Sequence, residues 1–171
     1  MVLKKKYPLI LLLTLFGFFA TSMLFGVIIN VTPSMPEGIY IRQFGAIHVG
    51  DIVLLCLNEP YKSLGIHRLY VEKGNRCQGS DPLVKEVIAI PGDTVVLNDK
   101  YVQVNDIQYI AKTFSKDSLG RPLEIYPSGR YSKTTGYWLL GTHAFNSWDS
   151  RYWGPISPDQ ILYKLRPLWT W

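Results

Sequence analysis

The feature that most constrains this chain is an uncharged apolar run near its amino terminus. Residues 9–31 read LILLLTLFGFFATSMLFGVIINV, 23 residues without a single Asp, Glu, Lys or Arg. At 1.5 Å of rise per residue, a helix of this length crosses a hydrocarbon core of roughly 30 Å. A cleavable signal peptide has a shorter apolar region of about 7–15 residues, followed by small residues. The run therefore predicts a retained transmembrane anchor rather than a removed leader.

The charge distribution around this run predicts its orientation. Lys4, Lys5 and Lys6 precede the run, and no acidic residue does. Under the positive-inside rule the amino terminus stays in the cytoplasm, and residues 32–171 lie on the outer side of the membrane. Three of the 18 Lys and Arg residues are in that tip, so the rest of the chain is nearly balanced against its 13 Asp and Glu. A nucleic-acid-binding domain usually has a stronger basic surplus, so we expect a lipid bilayer and no nucleic acid as partners.

The two cysteines, Cys56 and Cys77, fit an exported domain. Exported proteins with an even number of cysteines usually pair them, so we predict a disulfide. The absence of a CxxC pair argues against redox catalysis. Because the three histidines are scattered and show no ligand spacing, we expect neither a metal site nor a cofactor.

Residues 32–171 show mainly strand patterns. Short apolar or alternating runs bounded by Gly, Pro, Asn and Asp predict an antiparallel β-domain. The segment 112–134 is rich in Lys, Ser, Gly, Pro and Thr, which predicts a long loop or small insertion. The predicted strands are 51–57, 83–90, 94–97, 101–104, 107–110, 137–141 and 161–166.

Ser34 is the first candidate for chemistry. It follows the apolar run and is flanked by Pro33 and Pro36, which fix φ and disfavour a helix. Such a stiff extended turn would display a nucleophile, although an ordinary linker after a membrane helix has the same composition.

Lys85 is the second candidate. Strand alternation in LVKEVIAI places it on one face with Leu83, Val87 and Ala89. Burial among apolar side chains lowers the pKa of a lysine from about 10.4 toward neutrality, and the neutral amine can act as a general base. The alternative is an edge-strand lysine whose ammonium group reaches solvent.

A serine activated by a lysine needs neither a histidine nor a metal. His143 is the other conceivable base, but nothing else in the chain suggests a Ser-His-Asp arrangement. An oxyanion hole needs two donors, and the backbone N–H of Ser34 with the hydroxyl of Thr32 is a plausible pair.

A third cluster of polar and aromatic residues occupies 145–161. Asp149 and Arg151 can form a local ion pair, and Ser147 is short enough to hydrogen-bond a nearby amine. The aromatic residues of this segment fit either a core or a membrane interface.

Taken together, these segments resemble the type I signal peptidase family of membrane-bound serine proteases. The matching segments are SMPEGIY (34–40), GDIVLL (50–55), LVKEVIAIPGD (83–93) and NSWDSRYWG (146–154). Their order and the anchor just upstream of the serine also fit. The resemblance implies a mainly β, antiparallel domain of the signal-peptidase type over 32–171, behind one transmembrane helix within 1–31. It also implies a bacterial inner-membrane protein with a periplasmic catalytic domain.

Within the family, the chain is most similar to the conjugal-transfer peptidases that mature pilin precursors. That similarity rests on the spacing from Ser34 to Tyr40 and on one cysteine after the GDIV strand with another before the lysine strand. One departure is GTHAF at 141–145, where the family often has GDNR.

The resemblance implies a role for each candidate residue. Ser34 corresponds to the nucleophile, Lys85 to the general base and Thr32 to a side-chain oxyanion donor. Ser147 corresponds to a residue that orients the lysine. Asp149 and Arg151 correspond to a supporting pair, and Asp149 is also proposed as a third catalytic member in the conjugative branch.

These expectations combine into one hypothesis with two alternatives. We expect a serine endopeptidase that cleaves, and in one variant cyclises, a membrane-associated pilin-like or signal-peptide-bearing precursor, in association with a conjugation or secretion apparatus. One alternative is a housekeeping leader peptidase. The other is a non-catalytic membrane-anchored β-module that scaffolds such an apparatus.

Overall fold

The structure, a computed structural model, describes residue 8, residues 10–14, residue 17 and residues 26–171. Of the 23 residues of the predicted anchor over 9–31, 11 fall outside the described residues, and residues 10–14 and 17 are helical. Among the residues described, no helix has both the length and the apolar character needed to cross a bilayer. The predicted carboxyl end of the anchor is wrong, because Val27–Asn30 form a strand of the larger of the two main β-sheets.

Six strands form the larger sheet, in the spatial order β1-β2-β12-β3-β6-β11, and every neighbouring pair is antiparallel. The two segments that carry Ser34 and Lys85 both belong to this sheet: Ser34 lies between β1 and β2, and Lys85 lies within β6. The strands are β1 (Val27–Asn30), β2 (Gly38–Gln43), β3 (Ile52–Leu55), β6 (Leu83–Ala89), β11 (Trp138–Leu140) and β12 (Ile161–Thr170).

A smaller antiparallel sheet, in the order β10-β7-β8-β9, packs beside the first. A two-stranded hairpin, two short helices and a 3₁₀ turn complete the elements within residues 26–171, and the described residues 8, 10–14 and 17 are helical. Their bounds are β4 (Lys73–Gly74), β5 (Gly79–Ser80), β7 (Val95–Leu97), β8 (Tyr101–Val104), β9 (Ile107–Ile110), β10 (Gly129–Tyr131), α1 (Tyr61–His67), α2 (Ser150–Trp153) and the turn Pro158–Gln160.

Strand β6 is apolar on both faces because both faces are covered. One face contributes Val87 to a core that includes Leu139 of β11 and the aromatic residues of α2. The other contributes Val84 to a core with Met35 and Tyr40, the residues around the Ser34 turn. The turn and the lysine strand are therefore parts of one packed body.

The predicted disulfide is confirmed. Cys56 and Cys77 are bonded, with their Cα atoms 5.4 Å apart and 21 residues apart in sequence. The bond joins the end of β3 to the β4–β5 hairpin and encloses α1.

Removing this disulfide gives a testable change in stability. Closing a loop of about 20 residues stabilises a fold by roughly 3 kcal/mol in the loop-entropy model. A Cys56→Ser/Cys77→Ser variant should therefore lose about that free energy of unfolding in urea. Adding reductant to the parent should move its midpoint to that of the variant, and an unchanged midpoint in both samples would contradict the prediction.

Most predicted strands are observed, with ends shifted by a few residues. The segment 112–134 is largely loop, as predicted, and contains only the short strand β10. Helix α1 was not predicted, because its seven residues are too few to show a clear apolar period. Its Gly65 packs so tightly against Val71 and Trp148 that a Cβ there would collide with both.

Candidate active site

Lys85 is buried in the middle of the larger sheet. Its side chain lies on β6 opposite Val53 of β3, and the residue is only 3% exposed. Burial lowers the pKa of Lys85 from 10.5 to about 8; the charge of Asp149 opposes this shift and that of Arg151 adds to it. The predicted burial is confirmed, and the alternative of a solvent-reaching lysine is wrong. A substantial neutral fraction is therefore present near pH 8.

Ser147 is the hydrogen-bond partner of this lysine. Lys85 Nζ donates to Ser147 Oγ at 2.9 Å, and both side chains are buried. The backbone around Ser147 is held in turn, because its N–H donates to the Ala144 carbonyl and its carbonyl accepts from Arg151 Nη2. The contact predicted for Ser147 is thus present, and it fixes the direction of the amine.

Asp149 and Arg151 form a buried bidentate ion pair just behind Ser147. Arg151 Nε and Nη2 each donate to the Asp149 carboxylate at 2.8 Å, and Asp149 is completely buried. The same carboxylate accepts from the Gly141 N–H and from the Arg151 N–H, which caps α2. Among the described residues Asp149 makes no hydrogen bond to Lys85. Its contacts are those of a group that fixes two loops.

The turn that carries Ser34 is organised by Asn30, a residue that the sequence reasoning missed. Asn30 Nδ2 donates to the carbonyls of Thr32, Met35 and Pro36 at 3.0, 3.1 and 3.0 Å. Asn30 Oδ1 accepts from the N–H and the hydroxyl of Thr32 at 3.2 and 2.8 Å. Its signal in the sequence was a lone amide near the end of an apolar run, four residues before Ser34.

This network changes the expectation for Thr32. A hydroxyl has one proton, and that of Thr32 is donated to Asn30 Oδ1. To donate to an oxyanion, Thr32 must first leave this partner. The N–H of Ser34, the other predicted donor, donates to no acceptor within residues 26–171 and is free for that role.

Gly141 lies between the serine turn and the lysine site. A Cβ on Gly141 would be 2.1 Å from Ser147 Oγ and 2.9 Å from the Ser34 carbonyl oxygen, so both oxygens press on the same glycine. The N–H of His143 also donates to the Ser34 carbonyl, at 3.1 Å. The structure thus brings the segments of Ser34 and Lys85 together across one residue. The Ser34 hydroxyl itself forms no hydrogen bond to Lys85 or to any other group in the described part of the chain.

The loop 141–145, which departs from the family pattern, supports the site mainly through its backbone. Gly141 and His143 contribute N–H groups, and the Thr142 hydroxyl donates to Glu86 on the outer side of β6. Backbone donors do not depend on the side chains of GTHAF, so the departure is tolerated. The His143 side chain is exposed and makes no hydrogen bond to Ser34, which leaves it without the contact of a general base.

A groove of about 270 Å³ leads to the serine turn. One wall is the segment that precedes Ser34, and the other is the segment that precedes Lys85. Ser34 and Lys85 themselves do not line it, but Thr32 and Val84 do. The lining consists of Ile28, Ile29, Asn30, Val31, Thr32, Leu54, Leu69, Tyr70, Val71, Glu72, Arg76, Asp81, Pro82, Leu83 and Val84. Among the residues described, no cluster of His, Cys, Asp and Glu could hold a metal ion.

The chain was compared with known families, proteins and structures. A family profile described as "Signal peptidase, peptidase S26" matches residues 3–170. The "Plasmid transfer protein TraF" of Escherichia coli is 32% identical over 157 residues, which are 88% of this chain and 86% of that protein. The "Conjugal transfer protein TraF" of Agrobacterium fabrum is 32% identical over 166 residues, 92% of this chain and 90% of that protein. A crystal structure of a signal peptidase I from Enterococcus faecalis V583 covers 72% of this chain and 100% of that chain, with 16% identity and a TM-score of 0.40.

Proposed function

Because the chain belongs to the signal peptidase S26 family, we propose that it is a membrane-associated serine endopeptidase with Ser34 as nucleophile and Lys85 as general base. The observation that carries this proposal is the environment of Lys85. The residue is buried in the sheet, its amine donates a hydrogen bond to Ser147, and its pKa is lowered to about 8. A neutral amine in such a place can accept a proton from a hydroxyl, which a solvated ammonium cannot do.

The proposed reaction is peptide-bond cleavage through an acyl-enzyme. Ser34 Oγ attacks the scissile carbonyl, and its proton passes to Lys85 Nζ and then to the leaving amine. The Ser34 N–H, with Thr32 once released from Asn30, stabilises the oxyanion. Water then attacks the ester, Lys85 takes its proton, and Ser34 regains the hydroxyl. If the amino terminus of the acyl segment attacks instead, the product is a cyclic peptide.

The proposed substrate is a membrane-associated precursor used in conjugative transfer. The names of the TraF relatives support this assignment, because they are transfer proteins and match most of their length. The groove beside Ser34 has the extended, partly apolar shape that suits a peptide segment. The apparatus that conjugation requires is the proposed partner.

We further propose that the domain lies against the outer face of the inner membrane, with the amino terminus in the cytoplasm. Strand β1 forms the carboxyl end of the apolar run, and its Ile29 is paired with Ile39, which is paired with Trp169. Residues directly opposite in antiparallel strands share a face, so these three form an apolar row. Ile29 and Trp169 are each 64% exposed. An exposed apolar row beside an apolar run suits contact with lipid.

The test is co-expression of the full chain with candidate pilin precursors, followed by intact-mass measurement of the product. The parent should remove a defined segment, and Ser34→Ala should leave the precursor intact while remaining folded and in the membrane fraction. Ser132→Ala, which removes an exposed hydroxyl after β10, is the matched control and should process normally. Loss of the segment alone indicates hydrolysis, and loss of one further water indicates ring closure. Processing by Ser34→Ala would overturn the proposal.

A further inference from the structure

A second cleft, of about 430 Å³, shares no lining residue with the groove described above. Thr32, two residues before Ser34, lines the first, and His143, whose N–H donates to the Ser34 carbonyl, lines the second. The second cleft is lined by Tyr109, Ile110, Ala111, Lys112, Leu140, Gly141, Thr142, His143, Ala144, Phe145 and Arg151.

One side of this second cleft is an unpaired strand edge. Strand β9 is the last strand of the smaller sheet, and only β8 pairs with it. Within the described part of the chain, no other segment donates to or accepts from the backbone of Ile107–Ile110. Ile110 is 92% exposed. Exposed strand edges bind extended peptides by adding them as a further strand.

The second cleft contains one cation without a counter-charge. Its lining includes Lys112 and Arg151 and no acidic residue. Arg151 is neutralised by Asp149, and the carboxylate of Glu86 lies beside the cleft, where it accepts from Thr142 and acts on Tyr109. The ammonium group of Lys112 lies 5.5 Å from the centre of the Phe114 ring, and no carboxylate pairs with it in the described residues. Lys112 therefore gives the cleft an exposed positive charge that a carboxylate of a ligand can pair with.

From these observations we propose that the second cleft binds the part of the substrate that follows the scissile bond, as an extended strand along β9, and that Lys112 binds a carboxylate in that part. The inference rests on the proposed peptidase function. The first groove then holds the segment before the scissile bond, and Ser34 lies at the junction of the two. The carboxylate is either an acidic side chain or the carboxyl terminus of a short leaving segment.

The experiment uses the full chain in detergent micelles and synthetic peptides that share one sequence before the scissile bond. After that bond the peptides carry Asp or Asn, each with a free or an amidated carboxyl terminus. The parent should show a higher kcat/KM for peptides with a carboxylate. Comparing Asp with Asn, and a free with an amidated carboxyl terminus, identifies whether the side chain or the terminus supplies that carboxylate. The preference is the kcat/KM for a peptide with a carboxylate divided by that for the matched neutral peptide. Lys112→Gln should lower this ratio by about three- to fivefold, and Lys112→Glu should invert it. N-methylation of the backbone after the scissile bond should lower kcat/KM in all variants.

Two controls separate this inference from the proposed function. Lys116→Gln removes a similarly exposed charge that lines a different cleft, and its ratio should match the parent. An ester with the same acyl segment and a small alcohol as leaving group bypasses the second cleft, so its hydrolysis by the parent reports on the proposed function alone. If the ester is cleaved but the parent shows no preference for carboxylate, or Lys112→Gln keeps the parent ratio, the inference is wrong. If neither ester nor peptide is cleaved, the proposed function itself is wrong.

Discussion

Replacing Lys85 by methionine is expected to abolish precursor cleavage while making the domain more stable at neutral pH. The loss of a general base lowers the rate by at least about a hundredfold. The folded protein holds Lys85 at a pKa of about 8, against 10.5 for an exposed lysine. Each unit of that difference corresponds to about 1.4 kcal/mol, so the buried charge costs about 3 kcal/mol at pH 7. The variant also loses the hydrogen bond to Ser147, which lowers its stability by about 1 kcal/mol, so a net gain in the free energy of unfolding remains.

The stability of the parent depends on pH because the pKa of Lys85 differs between the folded and the unfolded chain. Between about pH 8 and 10.5 the unfolded chain binds more protons at Lys85 than the folded one, so the stability of the parent rises with pH over this window. The stability advantage of Lys85→Met over the parent should therefore be largest at pH 7 and shrink by pH 10, as measured by urea unfolding.

For the parent, kcat/KM should rise with pH around 8 as the free amine of Lys85 forms. Lys100→Met, in an exposed turn, should change neither quantity, and cleavage by Lys85→Met would disprove the assignment.

Replacing Asp149 by alanine should have the second large effect, on folding stability. Arg151 would remain buried without its counter-charge, and Gly141 would lose the acceptor of its N–H. Breaking a buried ion pair on one side costs roughly 3–5 kcal/mol. Urea unfolding should show this loss, whereas Asp106→Ala, at an exposed turn, should stay within about 0.5 kcal/mol of the parent. A loss below about 1 kcal/mol for Asp149→Ala would mean that the pair is not structural.

A double variant tests whether Asp149 also acts in catalysis. Asp149→Ala/Arg151→Met removes both charges and should recover part of the lost stability, because no charge is left unpaired. Activity that returns together with stability would show that the Asp149 carboxylate takes no direct part in the reaction. Stability without activity would show that the site needs the carboxylate or the contacts that the double variant also lacks, those of Asp149 with the Gly141 N–H and of Arg151 with the Ser147 carbonyl.

Four of the six strands of the larger sheet and the buried lysine could be predicted because the information is local. Alternation along β6, Pro91-Gly92 after it and the spacing of the cysteines are all readable from short segments. The burial of Lys85 followed from its apolar neighbours on the strand. Its contact with Ser147 depends on residues 62 positions apart, and only the resemblance to a known family suggested it.

The missed features depend on packing between distant segments or on competition between two patterns. Val27, Ile28 and Ile29 are apolar, so strand β1 merges with the apolar run before it. Only its pairing with β2 identifies it as a strand. Asn30 looked like a stray polar residue, since its function requires the chain to fold back over Met35 and Pro36. The importance of Gly141 comes from two oxygens supplied by other segments.

Asn30 has a consequence for how tightly this protein can hold what it acts on. Every hydrogen-bonding group of its amide is already used within residues 32–36, so the serine loop is ordered before any ligand arrives. The loss of conformational entropy is then met during folding and is not subtracted from the affinity at each encounter. If Ser34 is the nucleophile, as proposed, short or weakly bound peptides can be captured without first having to order the loop that carries it.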